Sequence, residues 1–282
     1  MTCSRTMIGG SWSFVQDLKK LRILSPEVKW FCQLRVKDVK KSLLDTMHES
    51  GCFMISYGFE SYSPTILKSM RKGITPEQIH NAIHVTLDSR ISIQANFIFG
   101  DRAETLQTAR ETLDFWKEHL EAGIQLFFIF ACPNSALYQY CVEKGIIKDK
   151  VDFLANHLFD IVNMTDMSDA DFLELRAMIS AYVVRNTVYS VPLKRNASSV
   201  TVRCPHCCEI IEYRNYTTKS PFYYAAPVYC RSCRKRIHIA SRMFSVVHNL
   251  KRKLATPSAY ALFYKYLAKN PGAWRKDQGC EN

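Results

Sequence analysis

Four short apolar runs, each followed by a stretch with helical spacing, constrain this chain more than any other feature of its sequence. They cover residues 28–36 (VKWFCQLRV), 52–57 (CFMISY), 91–99 (ISIQANFIF) and 124–131 (IQLFFIFA). Each is short, rich in β-branched or aromatic residues and nearly continuous, as expected of strands covered on both faces. After the first run, Val39, Leu43, Leu44 and Met47 form one helical stripe that stops at Gly51. A second helix opens at Thr75-Pro76-Glu77-Gln78, where Thr75 can cap and Pro76 suits the first turn. A third runs from about Glu104 to Ala122 and stops at Gly123, a residue type that closes helices.

The strand starts lie 24 to 39 residues apart, the size of βα units, which predicts parallel strands joined by right-handed crossovers. An open doubly wound sheet and part of a (β/α) barrel both satisfy this α/β pattern. In either, ligands gather at the carboxyl ends of the strands. Three such ends carry polar groups: Gly58-Phe59-Glu60-Ser61, Gly100-Asp101-Arg102-Ala103-Glu104 and Cys132-Pro133-Asn134-Ser135. From Ser168 the chain turns helical, with Ser168-Asp169-Ala170-Asp171 capping a run through Val184, and residues 192–199 read as a linker.

Hydrophobic residues make up 47% of the 282 positions, enough for a sizeable core. No apolar run reaches the length of a transmembrane helix, and the first residues (MTCSRTMIGGSWSF) lack the order of a secretion signal. The expectation is a soluble, cytoplasmic protein. The formal charge of +12 is uneven: residues 194–282 hold 17 Lys/Arg against 4 Asp/Glu, and the first 193 hold 21 against 22. A basic third of this kind suits nucleic acid, an acidic partner or a membrane surface, and equally a solvated face.

Five of the eleven cysteines fall within one 30-residue window, which points to metal binding rather than a disulfide framework. Cys204-Pro205-His206-Cys207 and Cys230-Arg231-Ser232-Cys233, with 22 residues between them, can present four thiolates to zinc. The β-branched and aromatic segments Ile210-Ile211-Glu212-Tyr213 and 221–228 suit a zinc ribbon. His206 and Cys208 are alternative ligands beside better-placed cysteines. Glu60 reads either as a carboxylate aimed into a pocket or as an acid at a helix start. Gly100 with Asp101 and Glu104 reads as a ligand-approach loop or an ordinary βα turn. No glycine-rich nucleotide fingerprint occurs. His48, His80, His84, His119 and His157 read as surface or core residues, and Cys32 and Cys52 as small buried hydrophobes.

Four blocks together, 30–36 (WFCQLRV), 51–78 (GCFMISYGFESYSPTILKSMRKGITPEQ), 95–105 (ANFIFGDRAET) and 131–138 (ACPNSALY), carry a family resemblance in their order and spacing. Residues 28 to 147 resemble the radical SAM superfamily, with an Elp3/MiaB/NifB-like core of the branch often fused to a cobalamin-binding domain. The resemblance implies a partial (β/α) barrel, S-adenosylmethionine and a 4Fe–4S cluster that generates a 5′-deoxyadenosyl radical, the cofactors carrying the hard chemistry. It places Gly58, Glu60 and Ser61 near the amino-acid or ribose part of S-adenosylmethionine, Phe97, Ile98 and Gly100 beside the adenine, and Pro133 and Ser135 on the adjoining loop.

The sequence departs from the family in lacking C-x3-C-x2-C, the cluster loop, at any position. Lys37 stands where the family more often has an acid, and Asn96 where a glycine is common. The four strands correspond to the family's third to sixth, so the expectation is a fragment whose first two strands, cluster loop and any cobalamin domain precede it. The expected units are a truncated barrel (1–150), a helical extension and linker (151–199), a zinc ribbon (200–240) and a basic helical tail (241–282). Methyl transfer or rearrangement on an unknown substrate is the leading function. The alternative is a non-catalytic accessory or remnant chain whose ribbon and tail, with Lys251-Arg252-Lys253, Tyr260, Phe263, Tyr264 and Tyr266, bind nucleic acid or a protein, although those aromatics also recur at the spacing of a packing face.

Overall fold

The computed structural model describes residues 29–158, 160–216 and 228–269. The amino terminus, most of the aromatic stretch before Val228 and the end of the basic tail lie outside the described residues. Four parallel strands, β1 (Trp30–Gln33), β2 (Cys52–Glu60), β3 (Ser92–Phe99) and β4 (Gln125–Phe128), form one sheet in the order β1-β2-β3-β4. A doubly wound sheet reverses direction at a switch point, and this one does not. The four strands therefore wind sequentially, with no switch point among them. The outer edges of β1 and β4 have no strand partner among the described residues.

Between the strands lie α1 (Lys41–Glu49), α2 (Pro64–Ser69), α3 (Pro76–Asp88) and α4 (Leu106–Glu118). Thr75 caps α3 in a capping box with Gln78, and Pro76 occupies its first turn. The third helix begins at Leu106 rather than Glu104, because Thr105 takes the cap and Thr108 completes the box. Leu43, Leu44 and Met47 of α1, Ile79 and Ile83 of α3, and Ala109 and Leu113 of α4 pack on Ile55, Tyr57 and Phe59 of β2 and Ile93, Ala95, Phe97 and Phe99 of β3 in one core.

The opposite face is not covered as the continuous apolar runs led one to expect. Register pairs Gln33 with Ser56, Ser56 with Gln94, Gly58 with Asn96, and Asn96 with Gln125. Paired residues of parallel strands share a face, so these groups make polar rows opposite the core. Within β3 the burial alternates strictly from Ile93 onward.

Beyond the sheet, α5 (Ala136–Glu143) and the helical turns that follow bury a satellite core of Ala131, Cys141, Ile147, Phe153 and Met164. Ser168 caps α6 (Asp169–Asn186), whose Phe172, Leu175 and Ile179 join the main core. Six short strands follow, β5 (Tyr189–Ser190), β6 (Lys194–Arg195), β7 (Ser199–Arg203), β8 (Ile210–Arg214), β9 (Val228–Tyr229) and β10 (Arg236–Ile239), in two three-stranded sheets. Residues 192–199 are thus no plain linker, since β6 pairs there with β7. Two helices, α7 (Arg242–Leu254) and α8 (Pro257–Lys269), complete the described chain. Tyr264 of α8 shares a 2.7 Å hydrogen bond with Ser180 of α6 and lies under the Arg176 guanidinium, so it serves packing. No helix among the described residues is long and apolar enough to cross a membrane.

Phe97 is fully buried and Phe31 is 55% exposed. Phe97→Ala should lower the unfolding free energy by about 3–5 kcal/mol, and Phe31→Ala by under about 1 kcal/mol. Urea titration followed by circular dichroism checks this, and equal effects would contradict the assignment of the two faces.

Candidate functional site

At the carboxyl end of β2 the register slips: Gly58 pairs with Asn96, but Glu60 pairs with Phe97, leaving a bulge between them. Glu60 adopts φ 64°, a left-handed conformation costly for a residue with a side chain and typical of functional loops. The bulge folds its carboxylate back over Gly58, where an added Cβ would stand 2.9 Å from Glu60 Oε1. Lys72 Nζ donates to the same oxygen at 3.1 Å. Both side chains remain partly exposed, so the pair is a positioned contact more than a source of stability.

A cavity of about 410 Å³ opens here, lined by Gln33, Arg35, Lys37, Ser56, Gly58, Glu60, Lys72 and Asn96 among others. Asn96 Oδ1 is buried with no hydrogen-bond partner among the described residues. One carboxylate and one unpaired amide oxygen therefore face three cations. Such a cleft can hold a zwitterion, an ammonium on Glu60 and Asn96 and a carboxylate on the basic side. Lys37 and Asn96, two of the departures from the resembled pattern, both line it.

The other predicted residues are spread around this end. Ser61 Oγ shares a 3.0 Å hydrogen bond with Thr112 Oγ1 and accepts from Ser63 N–H, so it faces the helices, and Phe97 lies in the core. Ile98 is half-buried opposite Phe127. Gly100, at φ 98°, donates its N–H to Glu104 Oε2 at 3.3 Å. Ser135 caps α5 by accepting from Tyr138 N–H, and Pro133 precedes it on an exposed turn. The Gly100 loop is closed on itself: Asp101 Oδ1 accepts from Ser69 Oγ and Ala103 N–H, and Thr108 Oγ1 donates to Glu104 Oε1 at 2.6 Å. Sequence reasoning missed Gln33, Arg35, Ser56 and Lys72. For the first three the available signal was a polar residue interrupting an apolar run; Lys72, outside those runs, left none.

At the far end of the sheet the four thiols of Cys204, Cys207, Cys230 and Cys233 lie within 4.8 Å of one another. The Cys204–Cys233 and Cys207–Cys230 sulfurs are 3.7 and 3.6 Å apart, close to the ~3.8 Å edge of a tetrahedron of thiolates at 2.3 Å from an ion. The two knuckles are copies: the N–H four residues after the first cysteine returns to its carbonyl, Cys208 to Cys204 and Arg234 to Cys230. Both residues hold positive φ, 63° and 62°. Cys208 therefore serves the turn, and His206 Nε2 is engaged with the Arg236 carbonyl, so neither alternative ligand enters the group. Tyr229 OH donates to Met54 Sδ and Ser92 Oγ to the Arg234 carbonyl, which docks this module at the amino ends of β2 and β3. Glu60 stands six positions beyond Met54 along β2, about 20 Å at about 3.3 Å per residue. Among the described residues no other three His, Cys, Asp or Glu side chains converge on a metal position. A 4Fe–4S cluster needs a cysteine triplet near the cleft, and the described residues do not supply one.

No protein-family profile matches the chain. It is similar to an uncharacterized methyltransferase of Pyrococcus horikoshii, 27% identical over 121 residues (43% of this chain, 26% of that protein). It is also similar to bacteriochlorophyllide d C-12(1)-methyltransferase of Chlorobaculum tepidum, 36% identical over 90 residues (31% of this chain, 20% of that protein). The matches thus span about a quarter or less of these relatives' length. Among solved structures, the radical S-adenosylmethionine methyltransferase TsrM from Kitasatospora setae aligns with TM-score 0.36 and 17% identity, covering 41% of this chain and 23% of TsrM. The radical SAM enzyme HemN, coproporphyrinogen III oxidase of Escherichia coli, aligns with TM-score 0.44 and 14% identity, covering 62% and 37%. The cobalamin-dependent S-adenosylmethionine radical enzyme OxsB aligns with TM-score 0.35 and 20% identity, covering 56% and 23%. The sequence similarity is thus to methyltransferases, and these solved structures are of radical SAM enzymes.

Two outcomes follow. Burial pushes the Glu104 carboxyl up to about 7, against the opposing hydrogen bonds from Thr108 and Gly100. The raised folded value means that its stabilising contribution is complete below about pH 4.5 and is lost as pH rises through about 7, a fall of roughly 3 kcal/mol. Glu104→Gln should flatten that segment of the stability–pH curve, and an unchanged curve would remove Glu104 as its source. Cys230→Ser should abolish binding of one metal ion per chain and loosen the module, read by metal analysis and proteolysis, and retained stoichiometric metal would contradict the four-thiolate site.

Proposed function

We propose that this chain is the S-adenosylmethionine-facing part of a radical SAM enzyme of the methyltransferase kind, with a partial (β/α) barrel whose cluster-bearing strands pair along the open edge of β1. The observation that carries the reading is the bulged end of β2, where Glu60 folds over Gly58 in a polar cleft. The similarity to methyltransferases supports it. Glu60 and Asn96 would take the amino group of S-adenosylmethionine, and Arg35 or Lys37 its carboxylate. Gly58 leaves room for close approach, and Ile98, Gly100, Pro133 and Ser135 would lie toward the adenosine end, on strand and loop ends that neighbour the cleft. When bound, S-adenosylmethionine supplies a methyl group activated on a sulfonium. The role of this chain's residues is to bind and orient that molecule. The cluster ligands, and any cobalamin site, belong to segments other than this sequence, which contains no C-x3-C-x2-C.

The four-cysteine group, on the same reading, holds a structural zinc. Four protein thiolates close the coordination shell and leave no open position for substrate. Its place at the opposite end of the sheet suits that role.

Equilibrium dialysis of S-adenosylmethionine against the purified chain tests the cleft. Glu60→Ala should weaken binding at least tenfold, and equal affinity of the two proteins would remove Glu60 from the site. Anaerobic reconstitution with iron and sulfide tests the cluster assignment. The chain should retain about one zinc and no stable iron, whereas about four irons with absorbance bleached by reduction would overturn it.

A further inference from the structure

A second cavity, of about 690 Å³, lies where the amino end of β4 meets the cysteine module and α7. Its volume is that of a small-molecule site. Leu120, Ile124, Val184, Val188, Phe244 and Val247 supply an apolar wall. Against that wall stand Arg236, His248 and Lys251, and no carboxylate of the described residues lines the cavity.

Arg236 is the informative residue. Its stem lies on Gly123, where an added Cβ would meet Arg236 Cβ at 3.0 Å and Cδ at 3.2 Å. Its guanidinium Nε and Nη1 are buried without a hydrogen-bond partner among the described residues. Buried guanidinium N–H groups without a partner are costly unless an anion meets them. His248 is 5% exposed, and its Nε2 is likewise buried and unpartnered. Its ring is held by stacking on Phe244 and by an edge contact with Tyr189. Burial first, then the charges of Arg252 and Lys251, hold His248 below its usual range, against a hydrogen bond to the Val184 backbone. Apolar wall, unpaired guanidinium and absence of acid together describe the complement of one kind of molecule.

We propose that this cavity binds an amphiphilic anion, an apolar chain or ring system ending in a carboxylate or phosphate, with the head on Arg236 and the body along the Leu120–Ile124 and Val184–Val188 wall. The site lies at the amino ends of the strands, away from the Gly58–Glu60 cleft, and does not depend on the reading of that cleft.

Isothermal titration of the full chain, with its metal in place, would use dodecanoate and dodecyl phosphate below their micelle concentrations. Dodecanol and inorganic phosphate are the controls for body and head alone. The expected result is one-to-one binding of at least one anionic amphiphile, at least tenfold tighter than either control, and the stronger of the two names the head group. Arg236→Met, which keeps the stem and removes the charge, should weaken it at least tenfold. Val247→Trp, placed on a residue that is 43% exposed and tolerant of bulk, should block the cavity from α7. If Arg236→Met loses its metal or its circular dichroism spectrum, Val247→Trp decides alone. Absence of binding by both amphiphiles, equal binding of dodecanol, or affinity unchanged in Val247→Trp would each overturn the proposal.

Discussion

Burying alternate residues of β2 and β3 under α1, α3 and α4 is the interaction on which the rest of this structure depends. Ile55, Tyr57 and Phe59, with Ile93, Ala95, Phe97 and Phe99, commit one face of the sheet to the helices. A strand has a side-chain period of two, so that commitment also determines what the other face presents. Gln33, Ser56, Gln94, Asn96 and Gln125 then line up across the strands as polar rows. A one-residue slip would bury those amides and expose the phenylalanines. The cleft is therefore a by-product of the core register, refined locally by the bulge at Glu60.

The sheet separates two chemistries along its strands. At the carboxyl ends, Gly58, Glu60, Lys72 and Asn96 form a small, charged, open cleft. At the amino ends, the cysteine module clamps β2 and β3 through Tyr229 and Arg234, and the Arg236 stem covers Gly123. The module's contact at Met54 lies about 20 Å from Glu60 along a strand rising about 3.3 Å per residue. A metal held there would stabilise the module, at the end of the sheet opposite the cleft.

The basic third divides in a similar way once its contacts are known. Arg252 donates to the carbonyls of Val184 and Thr187, and Tyr264 packs on α6, so those side chains hold the helices together. Lys251 and Lys253 stay exposed. A run of like charge in sequence thus separates, one residue at a time, into structural and solvated members.

Much of the fold was legible because it rests on local physics. The strand positions follow from short β-branched and aromatic runs, the α3 start from the Thr75–Gln78 capping box, and the metal group from two cysteine pairs whose spacing already matches a tetrahedron. The orientation of Ser61 was not legible, since a partner 51 residues away turns it toward the helices. The sequence by itself determined which segments become strands and helices and which cysteines meet, because periodicity, capping and ligand spacing act over a few residues. Only the tertiary structure decided that Lys72 reaches Glu60, that Asn96 keeps an unpaired oxygen in the cleft, and that two buried guanidinium nitrogens of Arg236 meet no acid. Those outcomes depend on strand register and module docking, which bring together residues whose spacing in the chain carries no sign of their contact.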